Sequence, residues 1–532
     1  MGEPDADFDA LLAESAELQD QIDRLGCWDL SHEVDKALRA LHVAARDADV
    51  EKIAQSASTA SHRATASRAF STNVHKVDNP YSGETFAEVA YDSSREAHAK
   101  LDAAVTAQRQ WARVPLRERQ ELCRKWIDAL ASSSESIAHD ISGQMGKPLQ
   151  QARNEVNGTI ARAKALIYLS DEALRADTFP EENGLFRQIT HEPIGIVYVI
   201  APWNYPLLTA VNSIIPAVLA GNAVVLKHSP RTPLCGVHYE QTFAQAGFPQ
   251  HVLQASFVDH DVAAEIIQRP ETSFVSFTGS VNGGRQVQQV ASKRFIDVTL
   301  ELGGNDAGYV AADADPVAAA EGLVDGVCYN AGQSCCGVER IYVHEANYDK
   351  FLAAATGLFE AYTLGDPFDA ATSLGPMALP SAPEILDAHV QDALVKGATQ
   401  LTSGRGATTD SQGKGRFFAP TLLANCSDAM RIMKEESFGP IVGVQRVASD
   451  DEAIAKINDS AYGLTAAVFT SDRERAMRVG AQLSAGTVFM NRCDALDPYL
   501  PWTGVRDSGK GASLSKHGFR AVTKLKSWNF RV

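Results

Sequence analysis

Short apolar runs rich in β-branched residues, separated by helical patterns, constrain this chain more than any other feature of its sequence. The runs IGIVYVI (194–200), AVVLK (223–227) and SFVSFTG (273–279) offer apolar side chains to both faces of a strand. Such strands are typical of a parallel sheet that helices cover on both sides. Amphipathic segments such as 94–114 supply those helices. From about residue 71 onward, the alternation predicts a doubly wound α/β architecture.

The acidic composition limits the partners that the chain can have. Asp and Glu number 66 against 49 Lys and Arg, which gives a net charge of −17. That charge repels phosphate groups, so neither nucleic acid nor an anionic membrane is an expected partner. The longest apolar run, IGIVYVIAPW, is too short to cross a bilayer. The 532 residues, 45% of them hydrophobic, are enough for two or three soluble domains.

The eight cysteines are scattered without CxxC or Cys/His ligand spacing. This pattern disfavours both a disulfide framework and a zinc site, so no metal is expected. A reducing compartment fits best, and we expect the cytoplasm, with mitochondria as an open alternative.

The first 70 residues differ from the rest in composition and in hydrophobic pattern. Residues 8–53 have helical periodicity and predict a short helical appendage. Residues 55–71 are rich in Ser, Ala and Arg and free of acids, a composition shared by linkers and by mitochondrial presequences. Both interpretations stay open at this point, whereas the acidic N-terminus argues against a secretory signal.

A glycine turn between an apolar strand and a helix, GSVNGG, predicts a phosphate-binding site. Gly279 and Gly284 would let the backbone approach a pyrophosphate, with Ser280 and the helix amides facing it. The spacing is GxxxxG rather than GxGxxG, so an ordinary structural turn explains it equally well. Upstream, Lys227 and Ser229 end another strand, where they either meet ribose and phosphate or are simply solvated.

Three further stretches carry side chains suited to catalysis. In APWNYP, two prolines stiffen a loop that can hold the Asn204 amide as an oxyanion donor, unless the amide satisfies its own turn. In LELGGNDA, Glu301 stands between leucines, where desolvation raises a carboxyl pKa and makes a general base, or where a structural ion pair forms. In YNAGQSCC, Cys335 and Cys336 are candidate nucleophilic thiols.

With these motifs the chain resembles the aldehyde dehydrogenase superfamily. The resemblance runs from about residue 77 to the C-terminus and rests on PWNYP, LELGGNDA, NAGQSC and EESFGP (435–440), which stand in the family's order. Glu301 and Cys335 are 34 positions apart, as in the family. The implied fold is a Rossmann-type cofactor domain plus an α/β catalytic domain and a bridging β element.

The resemblance also implies roles for individual residues. Cys335 would be the nucleophile, Asn204 an oxyanion donor and Glu301 the general base. Cys336 has no catalytic role in this scheme, and packing or a disulfide to Cys335 explains it. The implied cofactor contacts are Trp203, Lys227, Ser229, Gly279, Ser280, Gly284, Leu302, Glu436 and Phe438.

The implied reaction is oxidation of a small-molecule aldehyde to its carboxylic acid. The Cys335 thiolate attacks the aldehyde, hydride passes to NAD or NADP, and Glu301 activates the water that hydrolyses the thioester. Where the family often has Glu after the Lys and Ser of the ribose motif, Pro230 stands here, so the choice between NAD and NADP is left open. Substrate-mouth candidates, which are equally explained as wall packing, are Leu208, Asn212, Tyr499 and Trp502.

The expected organisation follows the same resemblance. Residues 1–70 form the appendage and linker, 71–170 and 194–303 the NAD(P)-binding domain, and 304–516 the catalytic domain. Residues 171–193 and 517–532 form the bridging element, which implies a homodimer or homotetramer. The alternatives are a CoA-acylating or reductive semialdehyde dehydrogenase of the same fold, and a non-catalytic scaffold with an N-terminal docking module.

Overall fold

The computed structural model describes residues 74–531, so the predicted appendage and linker at 1–70 lie outside the described residues. The helices are α1 Ser94–Trp111, α2 Leu116–Ser132, α3 Ser134–Met145, α4 Leu149–Ala173, α5 Val211–Ala220, α6 Pro233–Gln245, α7 His260–Gln268, α8 Val281–Ala291, α9 Pro316–Cys328, α10 Tyr348–Glu360, α11 Ala382–Val395, α12 Asp450–Asn458, α13 Arg473–Gly480 and α14 Ser515–Ala521. The strands are β1 Val74–Asp78, β2 Thr85–Ala90, β3 Asp177–Thr178, β4 Leu185–Pro193, β5 Ile196–Ile200, β6 Ala223–Lys227, β7 Leu253–Ala255, β8 Thr272–Thr278, β9 Asp297–Glu301, β10 Asp306–Val310, β11 Val338–His344, β12 Thr399–Gln400, β13 Ala407–Thr408, β14 Phe417–Phe418, β15 Thr421–Ala424, β16 Ile441–Val447, β17 Thr465–Phe469, β18 Thr487–Met490, β19 Gly509–Lys510 and β20 Thr523–Arg531.

A six-stranded sheet in the order β19-β9-β8-β5-β6-β7 contains the three apolar runs of the sequence. Its strands are parallel except β19, which pairs antiparallel with β9 at the edge. In β5, Val197 and Val199 face one apolar core, whereas Ile196 and Tyr198 face another on the opposite side of the sheet. The two cores explain why the run is apolar throughout, and they confirm the predicted doubly wound α/β class.

A second, seven-stranded sheet has the order β12-β15-β16-β11-β10-β17-β18. It is parallel except for the antiparallel pair β12 and β15 at one edge. Helices α9 and α10 pack against it, and α9 leads directly into the segment that carries the two cysteines. Glu301 lies at the carboxyl end of β9 in the first sheet, and Cys335 lies in the segment after α9. The two residues are thus on neighbouring parts of the molecule.

A third, antiparallel sheet joins two distant segments in the order β20-β4-β3. Strand β20 pairs with β4 along its whole length, from Thr523 opposite Pro193 to Arg531 opposite Leu185. Its other edge has no strand beside it within residues 74–531, and Leu525 and Phe530 are exposed. The C-terminal segment is thus an exposed edge strand.

The sheets only partly follow the predicted division of the chain. Strand β19 comes from the region predicted as catalytic, yet it pairs with β9 of the first sheet. A division by sequence position does not anticipate this crossing, because it depends on where the chain returns after 490. None of the helices between residues 74 and 531 is long and apolar enough to cross a membrane.

Candidate active site

Two cavities meet at three residues, Thr278, Glu301 and Cys335, which line both of them. The smaller cavity has a volume of about 370 Å³ and the larger one about 700 Å³. Both volumes lie in the usual range for small-molecule sites. A thiol and a carboxyl group at the junction can therefore act on a molecule in the smaller cavity. That molecule can react with a second molecule held in the larger cavity.

The cysteines follow a strained loop, here called the thiol loop (residues 329–336). Asn330 and Ala331 both have positive φ, at 57° and 55°, a costly conformation for residues other than glycine. At Gly332 a Cβ atom would lie 2.2 Å from the carbonyl oxygen of Gly439, so the backbones of the two segments touch. Strain of this kind persists only where the surrounding structure enforces it, and it is common at active sites.

The two thiols have different surroundings. Cys335 is partly exposed and lines both cavities, whereas Cys336 is buried and borders only the smaller one. The Cys336 thiol donates a hydrogen bond to Oδ1 of Asp494 at 2.8 Å. The neighbouring Cys335 side chain and burial raise the pKa of Cys336 well above its usual value. Both cysteines are free thiols, and Cys336 packs in the apolar core.

Asn204 is buried and is held from two sides. Its Nδ2 donates to the carbonyl oxygen of Gln333 at 3.1 Å, which uses one of its two hydrogens and leaves the other for a ligand. Its own carbonyl oxygen accepts from Nζ of Lys147 at 2.8 Å and from Nδ2 of Asn330 at 3.1 Å. Asn204 lines the larger cavity, so its amide is fixed beside the thiol loop.

Sequence reasoning missed the pair that holds this region, Lys147 and Glu155. Their side chains form an ion pair with both partners about 1% exposed, and burial lowers the pKa of Lys147. Oε1 of Glu155 also accepts the backbone N–H of Leu207 at 2.9 Å. Nothing in the local sequence marks the pair, because it becomes visible only when α4 packs against the loop after Asn204.

Glu301 ends β9 at the junction of the cavities. Oε2 accepts from Oγ1 of Thr278 at 3.0 Å, and Oε1 accepts from the hydroxyl of Ser513. Burial raises the pKa of Glu301, while these hydrogen bonds and the charge of Arg162 act in the opposite direction. A raised pKa and a fixed carboxylate suit a general base that works near neutral pH.

Most of the predicted cofactor residues line the larger cavity. These are Trp203, Lys227, Ser229, Gly279, Ser280, Glu436 and Phe438. Gly284 and Leu302 do not line it; they pack against each other, since a Cβ at Gly284 would lie 2.5 Å from Leu302. Gly284 therefore allows close helix–strand packing and does not itself open to the cavity.

The turn before α8 fits a phosphate group. Ser280 caps the helix by accepting the backbone N–H of Gly283 at 3.1 Å, and Ser280 and Gly283 both line the larger cavity. A Cβ at Gly279 would lie 2.7 Å from the Phe277 ring, so any larger residue in this turn requires that ring to move. The free amides at a helix N-terminus bind anions, and the donor set matches a dinucleotide pyrophosphate.

The segment 435–440, here called the cofactor loop, is fixed by a residue that sequence reasoning missed. Glu339 accepts the backbone N–H groups of Ser437 and Phe438, each at 2.8 Å. Oε1 of Glu436 accepts the N–H of Gly304 at 3.0 Å. Burial and the charge of Glu339 raise the pKa of Glu436 to about 8, and burial raises that of Glu339 to about 7.

Arg231, which follows Pro230 in the chain, does not take part in the larger cavity. Its guanidinium forms an ion pair with Asp78 and does not line the larger cavity. Lys227 and Ser229 do line it, as does Pro230, while Asp261 adds a carboxylate nearby. These residues accommodate NAD or NADP, so the preference between them stays open.

The smaller cavity contains three of the four predicted mouth residues. Leu208, Asn212 and Trp502 line it, whereas Tyr499 does not. Tyr499 is exposed and lies edge-on to Tyr168, with ring centroids 6.3 Å apart. Lining residues that the sequence did not indicate include Arg162, Asp325 and Asp494.

Comparison with known proteins agrees with this geometry. The sequence pattern of the aldehyde dehydrogenase family matches residues 65–528. The chain is 35% identical over 452 residues to a succinate-semialdehyde dehydrogenase [NADP(+)] of Deinococcus radiodurans, covering 84% of this chain and 93% of the relative. It is 33% identical over 473 residues to human retinal dehydrogenase 2, with 87% and 89% covered.

Solved structures agree as well. A 3,6-anhydro-L-galactose dehydrogenase structure in complex with NAP superposes with a TM-score of 0.83 at 32% identity, covering 87% of this chain and 97% of that one. The family's pattern spans all the motifs and both cavities described above. The chain is an NAD(P)-dependent enzyme that oxidises an aldehyde, and it belongs to the aldehyde dehydrogenase family.

Proposed function

We propose that Cys335 is the nucleophile, Asn204 the oxyanion donor and Glu301 the general base of this dehydrogenase. The observation that carries the assignment is that Cys335 and Glu301 both line the two cavities at their junction. Cys336 borders only one cavity, and its thiol is bonded to Asp494, so it is the weaker candidate.

In the first step the Cys335 sulfur, as thiolate, attacks the aldehyde carbon from the junction. The carbonyl oxygen becomes an oxyanion, which the free N–H of the Asn204 amide stabilises. The fixed position of Asn204 matters here, because donors that are already oriented cost no reorganisation when charge develops. NAD(P)⁺, when bound, accepts the hydride that leaves the substrate carbon.

In the second step Glu301 takes a proton from water, which attacks the thioester carbon and releases the acid from Cys335. Thr278 and Ser513 hold the carboxylate of Glu301 in place for this task. The presence of Glu301 in this position also argues against a CoA-acylating enzyme, because such an enzyme needs no base to activate water. A thiol and a base at the junction, with the Asn204 amide in the larger cavity, likewise disfavour a non-catalytic scaffold.

For the cofactor, Lys227 and Ser229 would hold the adenosine ribose and the turn at Gly279 and Ser280 the pyrophosphate. Glu436 would hold the second ribose, with Trp203 and Phe438 beside the nicotinamide. Gly284 and Leu302 would act indirectly, through their close packing against each other. The 2.8 Å hydrogen bonds that Glu339 accepts from Ser437 and Phe438 support the proposal, because they fix the loop that carries Glu436 and Phe438.

The division of the chain and its assembly are part of the same proposal. The NAD(P)-binding and catalytic domains, with boundaries near 170, 194 and 303, surround the two cavities, and 171–193 with 517–532 form the bridging element. The exposed edge of β20 would pair with a second copy, giving a homodimer or homotetramer. A cytoplasmic location fits the free thiols of the described residues.

The direct test is to trap the covalent intermediate. Enzyme mixed with aldehyde and oxidised cofactor, quenched in acid and analysed by peptide mass spectrometry, should have the acyl group on Cys335. The Cys335→Ala variant should bind NAD(P) normally and lack turnover, because the nucleophile has no substitute. An acyl group on Cys336, or turnover by Cys335→Ala, would refute the assignment.

A further inference from the structure

Strands β1 and β2 form a hairpin that, among the described residues, pairs with neither of the two large sheets. The hairpin instead contacts the segments around both sheets. Nε2 of His75 donates to the carbonyl oxygen of Pro230, which follows β6 of the first sheet, at 2.8 Å. The carbonyl oxygen of Pro80 accepts the N–H of Arg416 at 3.3 Å, and Phe417, the next residue, packs in the core over the second sheet. A segment with contacts on both sides can fix the position of one side relative to the other.

Asp78, the last residue of β1, joins the two sides through its carboxylate. Oδ1 accepts from Nη1 of Arg231, and Oδ2 accepts from Nη1 of Arg416 at 2.6 Å. The backbone oxygen of Asp78 also accepts from Nη2 of Arg231 at 2.5 Å. Asp78, Arg231 and Arg416 are here called the clasp.

Both arginines depend on this one carboxylate. Within residues 74–531, Asp78 is the only acid that forms an ion pair with either guanidinium. Arg231 is 9% exposed, and its Nε has no acceptor among these residues. Burial alone would raise the pKa of Asp78, but the hydrogen bonds from Arg231 and Arg416 outweigh it and lower that pKa. Asp78 is therefore ionised at neutral pH, and removing its charge leaves two cations facing each other.

Arg416 connects the clasp to the thiol loop. Its Nε donates to the carbonyl oxygen of Met377 at 2.9 Å, and its Nη2 donates to that of Ala378 at 2.7 Å. The N–H of Ala378 in turn donates to Oε1 of Gln333 at 2.8 Å. Gln333 precedes Cys335 by two residues, so a shift of the segment that Arg416 holds would move the thiol loop.

Arg231 connects the clasp to the cofactor end of the larger cavity. Its backbone N–H donates to Oγ of Ser229 at 3.2 Å, and Ser229 and Pro230 both line that cavity. Asp78 itself lines neither cavity. Any influence that it has on the reaction therefore passes through the two arginines.

We propose that Asp78 is a positioning residue, which holds the ribose end of the cofactor site and the thiol loop at a fixed separation. The part that concerns the thiol loop rests on the role proposed above for Cys335. Arg231 transmits the constraint to Ser229 and Pro230, and Arg416 transmits it to Gln333. Hydride transfer is sensitive to such constraints, because a displacement of about 1 Å between reacting groups can lower a rate by roughly 100-fold.

Two measurements separate the two sides of the clasp. Cofactor affinity is measured without aldehyde, from the quenching of protein fluorescence by NAD and by NADP. Hydride transfer is measured in a single turnover at saturating cofactor, with enzyme in excess over 4-oxobutanoate or butanal, whichever unmodified enzyme oxidises faster. The affinity measurement does not depend on which residue is the nucleophile.

The arginine variants should affect different measurements. Arg231→Met should weaken cofactor binding by roughly 10-fold, as expected for a lost charge-assisted hydrogen bond, and leave the single-turnover rate within about 2-fold. Arg416→Met should slow the single turnover by roughly 10-fold or more and leave cofactor affinity within about 2-fold, because it releases only the thiol loop.

Asp78→Asn should show both effects, since its amide no longer balances the two guanidinium groups. Asp78→Glu keeps the charge and should recover part of each loss. The matched control is Glu88→Gln, which removes an exposed ion pair with Lys76 in the same hairpin and should change neither measurement. Circular dichroism and melting temperatures verify that each variant is folded.

Unchanged affinity and rate in folded Asp78→Asn would overturn the proposal. Equal losses of affinity and rate in both arginine variants would overturn it as well, because general destabilisation has that effect. If Asp78→Asn does not fold, the contrast between Arg231→Met and Arg416→Met decides the matter by itself. Turnover by Cys335→Ala would instead refute the proposed function, and the affinity measurement on the clasp would still stand.

Discussion

The Cys336 thiol and the Asp494 carboxylate form a 2.8 Å hydrogen bond beside Cys335. This bond and the raised pKa keep Cys336 protonated near neutral pH, and a protonated thiol is a poor nucleophile. Cys336→Ala should therefore keep most of the dehydrogenase activity, with a loss of about 1 kcal/mol of stability from packing. Steady-state kinetics and urea unfolding measure the two effects. Loss of all activity in a variant that is still folded would contradict this view.

Glu301→Gln keeps the size of the side chain and removes the base. One equivalent of reduced cofactor should form rapidly, and turnover should then be slower by roughly 100-fold or more, since hydrolysis of the thioester lacks its base. Rapid mixing with absorbance detection resolves the burst.

The pH profile gives an independent check on Glu301. The base acts as a carboxylate, so unmodified enzyme should lose turnover as the pH falls through a value above 4.5, the ordinary pKa of glutamate. That acidic limb should be missing from the slow turnover of Glu301→Gln. Normal turnover in the variant would make Glu301 a structural residue.

Buried acids should make the protein less stable in alkaline solution. Burial raises the pKa of Asp306 and Glu436 to about 8 and that of Glu339 to about 7. Between about pH 5 and pH 8 the folded state keeps protons that the unfolded chain has released, so the free energy of unfolding falls as the pH rises through this window. The melting temperature of the cofactor-free protein should be lower at pH 8.5 than at pH 6.

Glu339→Gln tests the source of that pH effect. The variant removes one buried acid and a negative charge beside Glu436, so its melting temperature should decline less between pH 6 and pH 8.5. An unchanged decline would place the effect elsewhere in the chain. An Asp497→Asn variant, which changes an exposed acid, serves as the control.

The Lys147 and Glu155 pair should be essential for stability. Lys147→Met leaves Glu155 as an unpaired buried charge, which costs about 3 to 5 kcal/mol. Adding Glu155→Gln removes that charge and should recover part of the loss, and urea unfolding measures both variants. A single variant as stable as the original protein would show that the buried ion pair contributes nothing.

Deletion of residues 1–68 should leave aldehyde oxidation within a few-fold of that of the full chain. All residues assigned to the site lie after Thr72 in the sequence. Specific activity of the two purified proteins, with a circular dichroism spectrum to verify folding, decides the matter. A folded but inactive deletion would make the appendage part of the enzyme or of its assembly.

The sequence alone predicts those parts of the fold and site that depend on local patterns. The apolar runs at 196–200 and 223–227 predict buried parallel strands because both faces of each strand must be covered. The motifs around Asn204, Glu301 and Cys335 are short and keep a fixed order, so a resemblance can identify them. The structure brings all three to one region.

Residues that act through distant contacts are not predictable in this way. Glu339 contacts Ser437 and Phe438 about 100 positions away in the chain, and Arg162 reaches the cavity only because α4 packs against the segment after Asn204. The error at Tyr499 has the same origin, since its sequence neighbours enter the cavity wall while its own ring lies outside. Periodicity indicates which face of an element is buried, but it does not identify the element on the other side.

The backbone contact between Gly332 and Gly439 has a consequence for engineering. No side chain separates the thiol loop from the cofactor loop at this point, and the backbone of Gly332 lies against the carbonyl group of Gly439. A Cβ at Gly332 would lie 2.2 Å from the oxygen of Gly439. A chimera that takes only one of these loops from a relative inherits a mismatched surface at this contact. Grafts intended to change cofactor or substrate preference should therefore exchange residues 329–336 and 435–440 together, as a single cassette.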